Sequence, residues 1–282
     1  MWTLVLSLGA ASTWGVADFI GAIRARNYSA LLVAVYSELV GMLPVLVALY
    51  FVHEAFPGWG LLPWMIVAGI TGSVGHVVFF TAMARGPIGV IAPIFACSSA
   101  GPAVVAVTML GERPSIVQLG GIALAIGGVA LVSRHAGGGD VRHGKYGAVP
   151  IALIGVAILT VFYVSMDQIS QDSALWGVTM QRAFGLPLLL FGLGIGLRRG
   201  TTTAPRGSFM AIAPVGLMDT AAFVAFAYAT SLGNLSVAVV LSSLYPVVTI
   251  LLARIKLDER LAPIQRIGAV AALAGVVAIV LG

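Results

Sequence analysis

Ten apolar runs, each near the length a helix needs to cross a bilayer, constrain this chain more than any other feature of its sequence. They fall at Trp2–Ile23, Ser29–Val52, Leu61–Ala84, Pro87–Leu110 and Ser115–Val132, then at Tyr146–Met166, Ala174–Leu197, Ser208–Ser231, Asn234–Ile255 and Leu261–Leu281. A hydrocarbon core about 30 Å thick takes roughly 20 helical residues. Inside it every backbone polar group must be satisfied within the segment, so each run predicts a helix and none an open strand. Composition leads to the same class. Only 9% of the 282 residues are charged and 60% are hydrophobic, whereas a water-soluble domain carries about 25% charged residues. A globule of this length cannot enclose so much apolar surface, but lipid can solvate it.

The net charge of +5 does not indicate a nucleic-acid partner. Lys and Arg stand singly or in small groups between the apolar runs, where they act as topology signals and form no phosphate-binding stripe. The single cysteine, Cys97, lies within an apolar run and has no second thiol for a disulfide or a metal site. Its expected role is that of a small buried hydrophobe. Met1-Trp2-Thr3-Leu4 lacks a basic segment ahead of the first run, which reads as a span and not as a cleaved leader.

The chain also repeats itself. Displaced by 147 residues, spans four and five fall on spans nine and ten without a gap: Gly86 on Gly233, Glu112-Arg113 on Glu259-Arg260, Gln118 on Gln265, Gly121 on Gly268, and Gly128-Val129 on Gly275-Val276. Apolar coincidences are common between membrane segments, but coincident Glu-Arg, Gln and Gly positions are not. The expected organisation is a first five-helix repeat over residues 1–134, a connecting loop over 135–145 and a second repeat over 146–282. An odd number of spans per copy makes the second copy enter from the opposite side. Such inverted repeats recur in secondary transporters, whose substrate site lies near the midplane between the halves.

The same residues carry a family resemblance. Gly-Glu-Arg-Pro at 111–114 followed by Gln118, Gly121 and Gly127-Gly128, and Asp258-Glu259-Arg260 followed by Gln265, Gly268 and Gly275, resemble the close of an EamA repeat. Trp14-Gly15-Val16-Ala17-Asp18-Phe19 resembles the first helix of many members of the drug/metabolite transporter superfamily, to which EamA repeats belong. The resemblance covers essentially the whole chain and implies a ten-helix secondary transporter, often an exporter of amino acids, other metabolites or drugs. One departure stands out. Second helices of EamA repeats often carry a basic residue beside the central cavity; here the second copy has Arg182 and the first has Glu38. An anionic substrate is therefore not carried over from relatives with a basic site.

Loop charges predict an orientation. The connections after odd-numbered spans hold Arg24, Arg26, Arg85, Arg134, Arg142, Lys145, Arg198, Arg199, Arg206, Arg254, Lys256 and Arg260, against Arg113 on the other side. Basic loops stay cytoplasmic, so both termini are expected outside the cell membrane, opposite to the usual family arrangement.

Ionisable groups within a span cost several kcal/mol and normally mark a pathway or a buried pair. The candidates are Asp18, Glu38, Arg182 and Asp219, with His76 as a polar companion. Asp18 shares a helix face with Trp14 and reads either as a cation or proton site or as an acid reaching interfacial water. Glu38, the pseudo-symmetric counterpart of Arg182, is the first choice for a titrating acid. Arg182 can neutralise one acid of the three, which leaves two for function. The aromatics Tyr36, Tyr163, Phe223 and Tyr228 lie within spans, where they pack or line an amphipathic cavity. Pro44, Pro93, Pro102, Pro187, Pro214 and Pro246 are expected to interrupt helices. Ser98-Ser99 and Ser242-Ser243 are placed to bond freed carbonyls.

The expected function is secondary transport, in the export direction, of a small polar or amphipathic metabolite or drug, with protons as a coupling partner and lipid as solvent. A lipid or lipid-linked carrier flippase on the same scaffold is the alternative. No P-loop, no Gly-x-Ser-x-Gly, no His-Glu-x-x-His and no paired metal ligands occur, so neither ATP, a cofactor, a metal nor an enzyme activity is expected.

Overall fold

Basic side chains gather where helices end. Arg24 and Arg26 occupy the last turn of the first helix, Arg85 that of the third, Arg198 that of the seventh, and Arg254 and Lys256 that of the ninth. There they complement the carbonyl end of the helix dipole. Ser29 and Ser173 cap two helix starts, accepting from the amides of Leu32 and Trp176 at 3.1 and 3.2 Å.

The computed structural model describes residues 2–100, 115–132, 147–170, 173–231, 241–242 and 244–281. Its helices are α1 Trp2–Asn27, α2 Ala30–Val52, α3 Leu62–Arg85, α4 Ile88–Ala96, α5 Ile116–Val132, α6 Ala148–Ser170, α7 Ala174–Arg198, α8 Ser208–Ser231, α9 Tyr245–Leu257 and α10 Pro263–Leu281. The described residues contain no strand. Seven of the helices (α1, α2, α3, α6, α7, α8 and α10) are long and apolar enough to cross a membrane, and α5 is a shorter apolar helix. Their outward faces carry Leu43, Phe51, Ile116, Phe191 and Met210, all exposed, a surface that lipid tolerates and water does not. The protein is an integral membrane protein.

Two helices depart from the expected runs. The fourth run predicts one helix as far as Leu110, yet α-helical geometry ends at Ala96 and tightens into a 3-10 turn over Cys97–Ala100. Pro93 within α4 withdraws a backbone donor. Local side chains replace the ladder: Ser98 Oγ donates to the Phe95 carbonyl at 2.6 Å and Cys97 Sγ to the Pro93 carbonyl at 3.6 Å. In the second half, Pro246 sits in the first turn of α9. Leu241-Ser242 just before it are also helical, so the ninth run breaks at Leu244 and Pro246 opens the helix beyond the break, where its missing N–H has no partner in any case. Pro44, Pro187 and Pro214 do lie inside helices. Pro102, the loop over 135–145 and the Glu112-Arg113 motif lie outside the described residues.

Helix contacts alternate between the two halves. Going round, α1 packs on α8, α8 on α2, α2 on α7, α7 on α3, α3 on α6, α6 on α4, α4 on α9, and α9 on α1. This ring of eight leaves α5 and α10 paired outside it, against α4. Raising each helix number by five maps the ring onto itself, and only the seating of the outer pair on α4 has no counterpart on α9 among these contacts.

The outer pair also fixes direction. A Cβ on Gly121 would stand 2.9 Å from the Gly275 carbonyl, and one on Gly128 would stand 2.7 Å from that of Gly268. As one helix rises by seven residues its partner falls by seven, so α5 and α10 are antiparallel. The two halves of the fold are therefore inverted with respect to each other. The main buried core draws on all ten helices at the end where the odd-numbered ones finish, around Phe19, Phe79, Met83, Ile88 and Ile91. A smaller cluster, Val45, Met65, Met166, Ile169 and Leu175, lies toward the other end.

Candidate functional site

The charged side chains of α1, α2, α3, α7 and α8 converge midway along the ring. Glu38 on α2 is 1% exposed, and an isolated carboxylate there would be costly. It is not isolated. Ser73 Oγ lies 3.0 Å from both carboxylate oxygens, His76 Nδ1 lies 3.3 Å from Oε1, and Gln181 Nε2 approaches Oε1 at 3.5 Å. Ser73 and His76 are three residues apart on α3, hence on one face.

Arg182 on α7 is 3% exposed and bridges two elements. Its Nη1 donates to the Glu38 backbone carbonyl at 3.2 Å, and its Nη2 forms an ion pair with Asp219 Oδ2 at 2.9 Å. Backbone approach makes room for the guanidinium: a Cβ on Gly41 would fall 1.8 Å from Nη1. Thr220 Oγ1 donates to the Gly41 carbonyl at 3.1 Å and pins α8 to α2 at the same level.

Asp18 on α1 faces this assembly from the other side. Ala17, Asp18, Ser37, Glu38, His76, Phe80, Arg182, Val215 and Asp219 enclose a cavity of about 20 Å³, about the space one water molecule needs. Unlike Glu38 and Asp219, the Asp18 carboxylate makes no hydrogen bond or ion pair with any described residue. Two buried polar atoms at the cavity wall, Ser37 Oγ and Arg182 Nε, also have no partner among those residues. The Tyr163 hydroxyl lies within electrostatic reach of Asp18 and Asp219. Trp14, one turn before Asp18, meets Phe226 on α8 with ring centroids 5.9 Å apart.

The structure thus brings together Asp18, Glu38, His76, Arg182 and Asp219, with Trp14 one turn from Asp18 on α1 and the Tyr163 hydroxyl within electrostatic reach. It sets three other candidates elsewhere. Tyr36 packs edge-on against Phe209 at 5.2 Å, Phe223 packs against the smaller apolar cluster, and Tyr228 lines an open apolar groove. Sequence reasoning missed Ser37, Ser73 and Gln181. Two of these are chain neighbours of Glu38 and Arg182, and the third is at helical spacing from His76, so polar residues flanking the buried charges were the available signal. No cluster of three or more metal-ligating side chains occurs among the described residues.

Known proteins resemble the chain at three levels. A "Probable terminal-alkyne amino-acid exporter" from Streptantibioticus cattleyicolor is 27% identical over 228 residues, covering 77% of this chain and 73% of that protein. A protein of known crystal structure superposes with a TM-score of 0.61 over 98% of this chain and 95% of its own, at 14% identity, a likeness of fold alone. The EamA-like transporter family matches residues 1–134 and again 147–281. With nearly the whole chain accounted for by two copies of that unit, the protein is a member of the EamA-like transporter family.

Proposed function

We propose that this transporter exports a small metabolite bearing an amino group and that it exchanges the metabolite for protons at Asp18. The observation that carries the proposal is the unpartnered Asp18 carboxylate. Of the three acids around the cavity, Glu38 is held by Ser73, His76 and Gln181, and Asp219 by Arg182. Asp18 alone is left to bind a mobile charge. A carboxylate in such a place binds a proton or an ammonium group but not both at once, which is the competition an exchanger requires. The name of the Streptantibioticus relative supports an amino-acid-like cargo, and the Trp14–Phe226 pair offers apolar ring surface one turn away.

Proteoliposomes loaded with an amino-acid mixture test the coupling. An imposed pH gradient should drive solute efflux by the native protein and not by Asp18→Asn. Gradient-driven efflux through Asp18→Asn at the native rate would reject Asp18 as the coupling group. Glu38→Gln, by contrast, should keep its pH response if it reconstitutes.

One observation favours a second reading. An open apolar groove of about 720 Å³, lined by Leu6, Leu43, Pro44, Val47, Val224 and Tyr228 among others, runs between α1, α2 and α8. It has the character of an acyl-chain path, as a lipid flippase on this scaffold would need. Movement of a fluorescent phospholipid between leaflets, without amino-acid efflux, would favour it.

A further inference from the structure

We infer that Arg26 and Glu259 form a latch that closes the end of the molecule bearing the basic loops, and that the central cavity opens toward that end only when the latch breaks. Arg26 stands in the last turn of α1 and Glu259 in the connection between α9 and α10. Arg26 Nη2 donates to Glu259 Oε1 at 3.1 Å and to the Gly86 carbonyl at 3.2 Å. The second oxygen of Glu259 accepts from the Gly89 amide at 3.2 Å. One guanidinium and one carboxylate thereby tie the end of α1, the α3–α4 turn, the first turn of α4 and the α9–α10 connection. The pair joins the two inverted halves, which must move against each other in alternating access.

Local geometry aims the acid. Asp258 adopts a left-handed conformation with φ of 50° and ends α9, and the Glu259 amide turns back to the Ala253 carbonyl at 3.3 Å. Leu261 then packs over Gly89, where a Cβ would stand 3.1 Å from the leucine side chain. Beneath the latch, Phe80 both lines the cavity and lies against Gly21, leaving 2.3 Å for any Cβ there. The route from Asp18 to this end therefore passes an aromatic plug and then the ion pair.

The latch suits reversible use. Its side chains are 31% and 18% exposed, so water can take over the charges as they part. A fully buried pair would be too costly to separate. The opposite end carries a different clasp: Glu54, between α2 and α3, accepts from Ser173 Oγ and from the Leu175 amide, and its carbonyl accepts from Trp176 Nε1 at 2.9 Å. That clasp holds the start of α7 and leaves α1, α4 and α9 to the Arg26–Glu259 pair.

The inference rests on the transport reading of the cavity, but its test does not require transport. In a Cys97→Ser background, Ser37→Cys places a reporter thiol on the cavity wall. Full-length protein in nanodiscs, with Glu54 unchanged in every variant, is labelled with a cationic methanethiosulfonate. Glu259→Gln and Arg26→Gln should each raise the labelling rate about fivefold, and the double variant should fall well short of the product of the two, since the ion pair between them is lost in all three. Equal rates within twofold, or single effects that multiply in the double variant, would overturn the latch. So would an absence of labelling in every variant, given elution and melting profiles like those of the parent. Faster labelling with no solute movement in liposomes would retain the latch and remove the transport reading instead.

Discussion

At the scale of residues, the site divides into held charges and one free charge. Arg182 is held by its fit to Gly41 as much as by Asp219. Gly41→Ala would drive a methyl into the guanidinium, displace it from both the Glu38 carbonyl and Asp219, and leave a buried cation unpaired. We expect a loss of about 3 kcal/mol, seen as a lowered melting temperature in detergent, and the Asp219→Asn variant should melt low for the same reason. Glu38→Leu should cost about 1–3 kcal/mol, because Ser73 and Gln181 would keep buried polar groups without their acceptor. A melting temperature equal to that of the parent would show that the Glu38 network carries no stability. The sequence singled out all five ionisable groups, since a charge inside an apolar run is visible in one dimension. Which acid remained free was not legible, because pairing depends on distances across five helices.

At the scale of elements, the α5–α10 pair is the clearest case of composition directing packing. Lipid offers no hydrophobic drive for two such helices to meet, so close backbone approach and dispersion must hold them. Gly121, Gly128, Gly268 and Gly275 permit that approach, with the opposing backbone 2.3 to 2.9 Å from the place of each absent Cβ. Gly128→Leu should separate the helices and destabilise the fold by about 1–3 kcal/mol, whereas Gly127→Leu, which has open space around it, should leave the melting temperature unchanged. These glycines were already marked in the sequence by the 147-residue offset, but only as matched positions. That they face one another across the outer pair follows from the structure. The break in α-helical geometry after Ala96 was not legible either, because it depends on where the Ser98 and Cys97 side chains turn.

At the scale of the whole molecule, loop charge and inverted halves together bear on orientation. With the basic loops cytoplasmic, a terminal tag should react with a membrane-impermeant reagent on intact cells; protection of both tags until lysis would reverse the orientation. Hydropathy by itself determined that this chain is a helical membrane protein, because the cost of an unpaired backbone group in lipid acts on each segment separately. The internal offset determined its duplication, because matched polar positions survive in the order of the residues. Only the tertiary structure decided the ring of alternating helices, which of the three acids around the cavity is left unpaired, and the meeting of Arg26 with Glu259. Those depend on side chains distant in sequence coming within hydrogen-bond range, and a linear pattern of apolar runs contains no distance between one run and another.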